Sequence, residues 1–403
     1  YPDVVSGEKT IHEKIRAMEG KAIDGHAPGL KGPGLSAYAA AGVMTDHECF
    51  SHEALLERVR LGMYVHLREG SVTRNVESLL PAVNGYTSRR LLFCTDDKHP
   101  EDIRREGHIN YNVNLAIKHG VDTIDAIRMA TLNAAECYGL SRHGAIAPNR
   151  YADLIVFDSL ERITPVSVYK KGVEVARDGE ALVSPKPLVE SSITDSVHVD
   201  ESALDFTLRL KSDTVKVIGL IENNITTTKE KRTVTLENGI YRNDPEQDIL
   251  KLAVVERHKA TGNIGLALVQ GFGLRGGALA MTIAHDSHNL IVIGDSDETM
   301  KEAVRTLIRQ KGGIAVVKND GTAKSLALEV GGIMTTAPHG EVSKTLEAMK
   351  TMVRGMGLSD VIQDPFIQLA FLSLPVIPAL KLTDKGLFDV DAFAHTEIEA
   401  EDD

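Results

Sequence analysis

Short apolar runs alternate with amphipathic stretches along the first 150 residues. Four apolar runs predict strands: Ala22–His26, Val43–Asp46, Met63–Leu67 and Leu91–Cys94. Between them the pattern predicts helices, one capped by Ser51 and another capped by Asp122 and ended by Gly139. Strand–helix alternation at this pitch is typical of a parallel sheet with helical crossovers, so it predicts an α/β fold.

The pattern changes after residue 150. Two strands, Leu154–Asp158 and Ser167–Lys170, and a hairpin-like unit at 168–179 predict a small β module up to about residue 190, followed by a linker at 185–200. Residues 205–395 predict a second α/β region, with strands at Val215–Ile221, Leu250–Val255, Leu279–Ala284 and Leu290–Ile293. In this region Ser296 is expected to cap a helix that runs to about Gln310, and the acidic end 397–403 is expected to fray.

Polar side chains follow each predicted strand of the first region. The segment IDGHAPG ends on His26, MTDHEC on Asp46, His47 and Glu48, YVHLREGS on Arg68 and Glu69, and LLFCTDD on Asp96 and Asp97. From position 26 to 47, 69 and 96 the intervals are 21, 22 and 27 residues, which fits one group per βα unit. The carboxyl ends of parallel strands meet on one face, so these side chains are expected to converge there.

Histidine and aspartate that converge in this way suit a divalent metal. Imidazole with carboxylate fits zinc, iron or manganese better than calcium or magnesium. A metal lowers the pKa of its water to about 7, and a nearby carboxylate can carry the proton, so the set is typical of a hydrolase. Structural alternatives stay open: a lone His after a strand is more often structural, Asp46 and Glu48 can equally cap the next helix, and Arg68 with Glu69 can be an ion pair.

Composition excludes several classes of protein. With 45 basic and 57 acidic residues the net charge is −12 and no basic tract occurs, so the electrostatic footprint of a nucleic-acid binder is missing. The three cysteines, Cys49, Cys94 and Cys137, form no CxxC pair, which favours reduced thiols in a cytoplasmic protein over a disulfide framework. Neither a signal peptide nor a membrane span is evident in the sequence, which begins with Tyr1 rather than Met.

A run of motifs in a fixed order identifies a family resemblance. In chain order they are IDGHAPG, TDHE, MYVHLREGS, FCTDD, EGHIN, MATLNAAECYGL and GAIAPNRYADLIVFD, and in the C-terminal region GFGLRGGALAMTIAHDSHN and SLPVIPALKLTDKGLFDV. Together they resemble the adenine deaminases of the amidohydrolase superfamily. Where family members usually have Gly, this chain has Asn149, which tolerates the same left-handed backbone.

The resemblance implies a fold and a reaction. Residues 1–150 would form the C-terminal half of a (βα)8 TIM-type barrel, 151–190 part of a small β-sandwich, and 200–395 an α/β C-terminal domain. The reaction implied is hydrolytic deamination of adenine to hypoxanthine and ammonia, in purine salvage. The partner expected is therefore a small molecule and neither nucleic acid nor a membrane, and the protein is expected to be a homo-oligomer.

The resemblance also implies roles for individual residues. His26, His47 and Asp96 would be metal ligands that end the fifth, sixth and eighth barrel strands, and Asp96 would also shuttle the proton. Arg68 and Glu69 would line the substrate pocket. Residues His285 and His288 belong to an HDSH element after a predicted strand, which we expect at the mouth of the pocket. A surface turn and an extra metal site are the alternatives for this element.

One part of the family pattern does not occur in this sequence. The family carries a His-x-His pair on the first strand and a bridging carboxylate on the fourth, so an N-terminal barrel segment is expected to be missing here. With it the metal site, holding manganese, iron or zinc, would be binuclear. By itself the chain is therefore expected to bind metal weakly and to lack activity. The alternatives are a non-catalytic fragment and another cyclic amide or ring hydrolase of the superfamily.

Overall fold

A computed structural model describes residues 1–184, 193–222, 224–244 and 246–400. The chain divides into two compact units, Tyr1–Lys186 and Pro187–Asp403. The predicted linker at 185–200 and the predicted β module up to 190 lie partly outside the described residues, as do the last three residues of the acidic end.

The first unit combines short helices with two sheets. Its helices are α1 (Pro2–Val5), α2 (Lys9–Ala17), α3 (Gly32–Ala40), α4 (His52–Arg60), α5 (Val76–Leu79), α6 (Pro100–Glu106), α7 (Ile109–Lys118), α8 (Thr123–Ala130) and α9 (Leu132–Cys137). Its strands are β1 (Thr45–Asp46), β2 (Tyr64–Arg68), β3 (Leu91–Cys94), β4 (Leu154–Val156), β5 (Ser167–Lys170), β6 (Val173–Arg177) and β7 (Glu180–Ala181).

The first sheet is parallel, as the strand–helix alternation predicts. Its order is β1-β2-β3, with Thr45 opposite Tyr64 and Val65 opposite Leu91. Apolar side chains of the strands and of α4, α5, α7 and α8 form one buried cluster, which includes Leu55. The sheet therefore carries its strand ends, and the polar residues on them, at one edge of a helix-covered core.

The predicted strand Ala22–His26 is wrong, because this segment has no strand pairing in the structure. It runs beside β1, but side-chain oxygens accept two of its N–H groups: Gly25 donates to Thr45 Oγ1 at 3.2 Å and His26 to the hydroxyl of Tyr38 at 3.1 Å. The backbone approaches so closely that a Cβ on Gly25 would collide with the carbonyl oxygen of Thr45. Side-chain bonding has thus replaced a β ladder.

Both predicted helix caps of the first unit are present. Ser51 accepts the N–H of Ala54 at the start of α4, and Asp122 accepts the N–H groups of Ile124 and Asp125 at the start of α8. The helix after Asp122 does not run unbroken to Gly139, because Thr131 leaves helical geometry with φ −133° and ψ −82° and separates α8 from α9.

The second sheet of this unit is antiparallel, with order β4-β5-β6-β7. It confirms the predicted strand at Ser167–Lys170 and the hairpin at 168–179, in which Lys170 lies opposite Val173. Asn149, just before this sheet, has φ 63°, the left-handed conformation that its place in the sequence predicts.

The second unit is built on an eight-stranded sheet. The strands of the whole unit are β8 (Thr214–Leu220), β9 (Thr227–Thr233), β10 (Thr235–Glu237), β11 (Ile240–Arg242), β12 (Ile249–Val255), β13 (Ile264–Gln270), β14 (Gly277–Met281), β15 (Leu290–Gly294), β16 (Gly313–Lys318), β17 (Ala323–Ala327), β18 (Leu380–Thr383), β19 (Gly386–Asp389) and β20 (Ala394–His395). Its helices are α10 (Asp297–Arg309), α11 (His339–Arg354) and α12 (Pro365–Ala370). The large sheet has the order β17-β16-β14-β15-β12-β13-β8-β9.

Helices cover both faces of the large sheet. One core cluster joins it to α11 and α12, and another joins it to α10, so every residue of β12 is buried. The predicted helix from Ser296 to about Gln310 is confirmed, since Ser296 accepts the N–H of Thr299 and Gln310 ends α10. The sheet is largely antiparallel, with one parallel pair between β8 and β13.

A lysine lies inside the second unit. The side chain of Lys381, on β18, is fully buried and its Nζ donates to the carbonyl oxygen of Ile225 at 2.8 Å. Burial lowers the pKa of this amine from 10.5 to about 7.

Two further findings concern chain chemistry. Cys49, Cys94 and Cys137 are all free thiols, as the sequence predicts. In the described parts of the chain, no helix combines the length and the apolar character that crossing a membrane requires.

Candidate active site

A buried ion pair fixes the backbone around His26. The Nε of Arg58 donates to Asp46 Oδ2 at 2.5 Å, and both side chains are almost completely buried. The same pair holds Ala27, because Asp46 Oδ1 accepts its N–H at 3.3 Å and Arg58 Nη2 donates to its carbonyl at 2.7 Å. Asp46 also accepts the N–H of Glu48 at 3.0 Å. Asp46 is therefore a structural residue that ties the His26 segment to the end of β1.

His26 and His47 lie together at this edge, on either side of one carboxylate. Their ring centroids are 5.5 Å apart. Glu48 Oε1 lies 3.4 Å from His26 Nδ1 and 3.5 Å from His47 Nε2. Three ligand atoms, one from each residue, lie within 4.8 Å of one another. Glu48, for which helix capping was the alternative, is thus the centre of the cluster.

Arg68 connects this cluster to Asp96. Its Nη1 donates to Glu48 Oε1 at 2.5 Å and to Asp96 Oδ2 at 2.6 Å, while Nη2 donates to Glu48 Oε2 at 3.0 Å. The guanidinium is buried, yet the pKa of Arg68 is raised, since the two carboxylates outweigh the cost of burial. Its Nε has no hydrogen-bond partner among the described residues. Arg68 is therefore bonded to two acids of the site.

Asp96 and Asp97 follow β3 directly. Asp96 has φ 55° and an exposed side chain, whereas Asp97 is half-buried. Burial, and then the charge of Asp96, raise the pKa of Asp97 to about 6. A Cβ at Gly70 would collide with the Asp97 carboxylate, so the turns after β2 and β3 fit closely together.

Glu69 is buried on the other side of β2. It accepts the N–H of Val76 at 3.3 Å and lies 3.6 Å from Arg74 Nη1. Burial raises the pKa of Glu69 against the effects of these two partners. Arg68 and Glu69 thus form ion pairs with other residues rather than with each other. A contact of Glu69 with substrate stays a prediction.

Sequence reasoning missed two neighbours of the site. His66, on β2, is buried, with its ring centroid 6.4 Å from that of His47 and its Nε2 3.4 Å from the hydroxyl of Tyr138. Burial lowers the pKa of His66, which favours a neutral ring. Strand periodicity could have found it, because residues 66 and 68 lie two apart and therefore face the same side.

The HDSH element is a turn in the second unit. His285 and His288 pack edge to face, with ring centroids 5.3 Å apart. His288 Nδ1 accepts the N–H of Ala284 at 3.2 Å, so the proton of the neutral ring lies on Nε2. Burial lowers the pKa of His288, which favours that neutral form. In this tautomer Nε2 is a hydrogen-bond donor, and its contact with substrate stays a prediction.

Comparison with known proteins gives the chain a family. Residues 1–181 match the amidohydrolase family, and residues 224–394 match the adenine deaminase C-terminal domain. An adenine deaminase of Nitratidesulfovibrio vulgaris (strain DP4) is 45% identical over 405 residues, which covers 99% of this chain and 70% of that protein. Adenine deaminase 2 of Carboxydothermus hydrogenoformans is 46% identical and the adenine deaminase of Clostridium acetobutylicum 42%; the matches cover 98% of this chain and 69% and 70% of those proteins. The chain belongs to the adenine deaminase family.

Proposed function

We propose that this protein hydrolyses adenine to hypoxanthine and ammonia. The observation that carries the proposal is the 45% identity to a protein named adenine deaminase over 99% of this chain. The chain spans about 70% of the length of that relative. Two histidines and two carboxylates around one arginine supply the donors and proton carriers that such a hydrolysis needs.

The residues present fit a divalent transition metal. Imidazole nitrogens and carboxylate oxygens within a few ångströms of one another are ligands for zinc, iron or manganese. We propose that His26 and His47 hold the ion, with Asp96 as a further ligand of a binuclear site in the complete enzyme. When bound, such an ion lowers the pKa of water to about 7 and polarises the bond under attack.

Asp96 is the proton carrier in this proposal. In the overall reaction the C6–O bond forms, the C6–N bond breaks, and water supplies the oxygen. Asp96 accepts a proton from the water and returns it to the departing nitrogen, which leaves as ammonia. Its exposed carboxylate is suited to this role because Arg68 holds one oxygen at 2.6 Å and fixes its direction.

We propose the substrate contacts from the chemistry of the remaining side chains. Arg68 and Glu69 line the purine pocket, and a role of His285 and His288 in substrate binding stays a prediction. The His288 Nε2–H is a donor, which is the partner that an acceptor nitrogen of a purine requires.

The domain assignment belongs to the same proposal. Residues 1–150 form the second half of a (βα)8 barrel, 151–190 part of a β-sandwich, and 200–395 an α/β C-terminal domain. The parallel order β1-β2-β3 and the antiparallel sheet β4-β5-β6-β7 support this division.

The test is adenine turnover with manganese, iron or zinc supplied. The chain is assayed alone and after co-expression with the part of the Nitratidesulfovibrio vulgaris relative that the match leaves uncovered. We expect hypoxanthine and ammonia in equal amounts from the complemented protein and none from the chain alone. Metal-replete complemented protein that leaves adenine unchanged would refute the proposal.

A substrate panel separates the ring hydrolases. Dihydroorotate and a cyclic imide are assayed beside adenine with the same preparation. Turnover of either in preference to adenine would assign the protein to the alternative class.

A further inference from the structure

The environment of Glu48 distinguishes it from the other acids of the site. Its Oε1 is the common neighbour of His26 Nδ1 at 3.4 Å and His47 Nε2 at 3.5 Å. The side chain is buried, with 7% of the residue exposed, and its carboxylate accepts two hydrogen bonds from Arg68. In the described part of the chain, the group of possible metal ligands around these two histidines is completed by Glu48 rather than by Asp96.

The two distances are longer than those of typical hydrogen bonds and fit shared ligation. Hydrogen bonds between nitrogen and oxygen have a length of about 2.7–3.2 Å. Zinc ligands bond at about 2.0–2.2 Å in a tetrahedron, which separates neighbouring donor atoms by roughly 3.4 Å. The spacing of Glu48 Oε1 from both imidazoles therefore matches the edge of a coordination tetrahedron.

The donor set has a known chemical form. Two imidazoles with one glutamate leave a fourth position open, as in hydrolytic zinc sites of the two-His, one-Glu type. Arg68 orients the carboxylate through two hydrogen bonds, which is how outer partners fix a ligand before metal arrives. Asp96 accepts a further hydrogen bond from Arg68 Nη1, and its side chain is exposed.

We propose that Glu48 is a direct ligand, so that His26, His47 and Glu48 form a three-ligand site for one divalent transition metal ion within this chain. The inference rests on the proposed function for the use of the metal, but not for its binding. It differs from the expectation drawn from the family resemblance, in which the ligands from this chain are His26, His47 and Asp96 and the chain alone binds weakly.

The first experiment measures metal affinity. The 403-residue chain is stripped of metal and titrated with Zn²⁺ and with Co²⁺ by calorimetry. We expect one ion per chain, and at least about 100-fold weaker binding for Glu48→Gln, a loss larger than the 10–100-fold typical of outer partners. Equal affinity of Glu48→Gln and the parent chain would overturn the proposal.

A surface pair supplies the matched control. Glu77 lies 3.2 Å from His119 Nε2, with 60% of its side chain exposed, so Glu77→Gln also removes a carboxylate beside an imidazole. We expect its zinc affinity to equal that of the parent chain. If circular dichroism shows that Glu48→Gln does not fold, Glu48→Asp replaces it. Weaker zinc binding is then expected, because the shorter side chain moves the carboxylate oxygen away from the two histidines.

The second experiment locates the ion. In a crystal of the zinc-loaded chain, anomalous scattering should place zinc about 2.0–2.2 Å from a Glu48 carboxylate oxygen and from one nitrogen each of His26 and His47. Zinc that lies beyond bonding distance of Glu48 would overturn the proposal. Failure of the deaminase assay would refute the proposed function and leave this site intact, so the two outcomes are separable.

Discussion

At the residue scale, the buried side chain of Arg58 connects its own helix to the end of β1 and to the segment that carries His26. Arg58 holds Asp46 and the backbone of Ala27, next to His26. An ion pair in water contributes little, whereas removal of one partner of a buried pair leaves a charge without compensation. The stability of the site and the stability of the fold therefore depend on the same guanidinium.

We expect Arg58→Met to destabilise the protein by about 3–5 kcal/mol, because Asp46 stays buried and charged. Urea denaturation measures the change. The matched control is Arg128→Met, which breaks an exposed pair with Asp125 and should cost less than about 1 kcal/mol. Equal effects of the two substitutions would show that burial of the Asp46 pair carries no special weight.

Arg68 permits a kinetic prediction. Both terminal nitrogens of its guanidinium are bonded to Glu48 or Asp96, so we expect its loss to disturb those carboxylates more than adenine binding. In the complemented enzyme, Arg68→Lys should lower activity about 10–100-fold, mainly in kcat. A rise in KM with kcat unchanged would instead indicate that Arg68 acts mainly through its place in the purine pocket.

At the scale of elements, helix caps were predictable because their signals are local. Asp122 accepts two N–H groups at the start of α8, and its position before an apolar stripe already indicates this. The break at Thr131 was not predictable, since it depends on geometry outside the apolar pattern.

We expect Asp122→Ala to destabilise the protein by about 1 kcal/mol, through loss of the cap and of the favourable dipole interaction. Asp122→Asn keeps an acceptor oxygen and should cost clearly less. Thermal or urea denaturation of the two variants gives the comparison. Equal losses would mean that charge rather than the cap is responsible.

The strand ends show where sequence reasoning stops. The sequence itself has polar residues after β1, β2 and β3, and their spacing predicts that these side chains converge at one edge of the sheet. The segment that ends at His26 has the composition of a strand, but the side chains of Thr45 and Tyr38 accept two of its N–H groups. Glu48 was left ambiguous because the sequence does not reveal that both imidazoles would face it. Such choices depend on tertiary contacts rather than on local pattern.

At the scale of the whole molecule, the second unit encloses its sheet between helices, and the burial of one lysine there makes the stability of the fold depend on pH. Lys381 is buried, its Nζ donates to a backbone carbonyl, and among the residues that the structure describes it has no acidic partner, so the folded state holds its proton weakly. The pKa of about 7 in the folded state lies below the ordinary 10.5 of the unfolded chain. Between these values the unfolded state binds more protons, so this group makes stability rise with pH.

We expect the stability difference between the parent chain and Lys381→Met to change by up to about 1.4 kcal/mol per pH unit above pH 7, in favour of the parent as pH rises. Below pH 7 the difference should level off, because both states are then protonated. Urea denaturation at several pH values measures it. A constant difference from pH 7 to 9.5 would show that the folded amine keeps its ordinary pKa.

The close approach at Gly25 restricts which sequences can carry this site. A methyl group there would collide with the carbonyl oxygen of Thr45, so the backbone next to His26 would have to shift. Even alanine is therefore not tolerated at this position, although no atom of Gly25 takes part in the chemistry. In surveys of genomes, a relative that keeps both histidines but replaces this glycine can therefore be identified, before any assay, as one that has lost the geometry of this site.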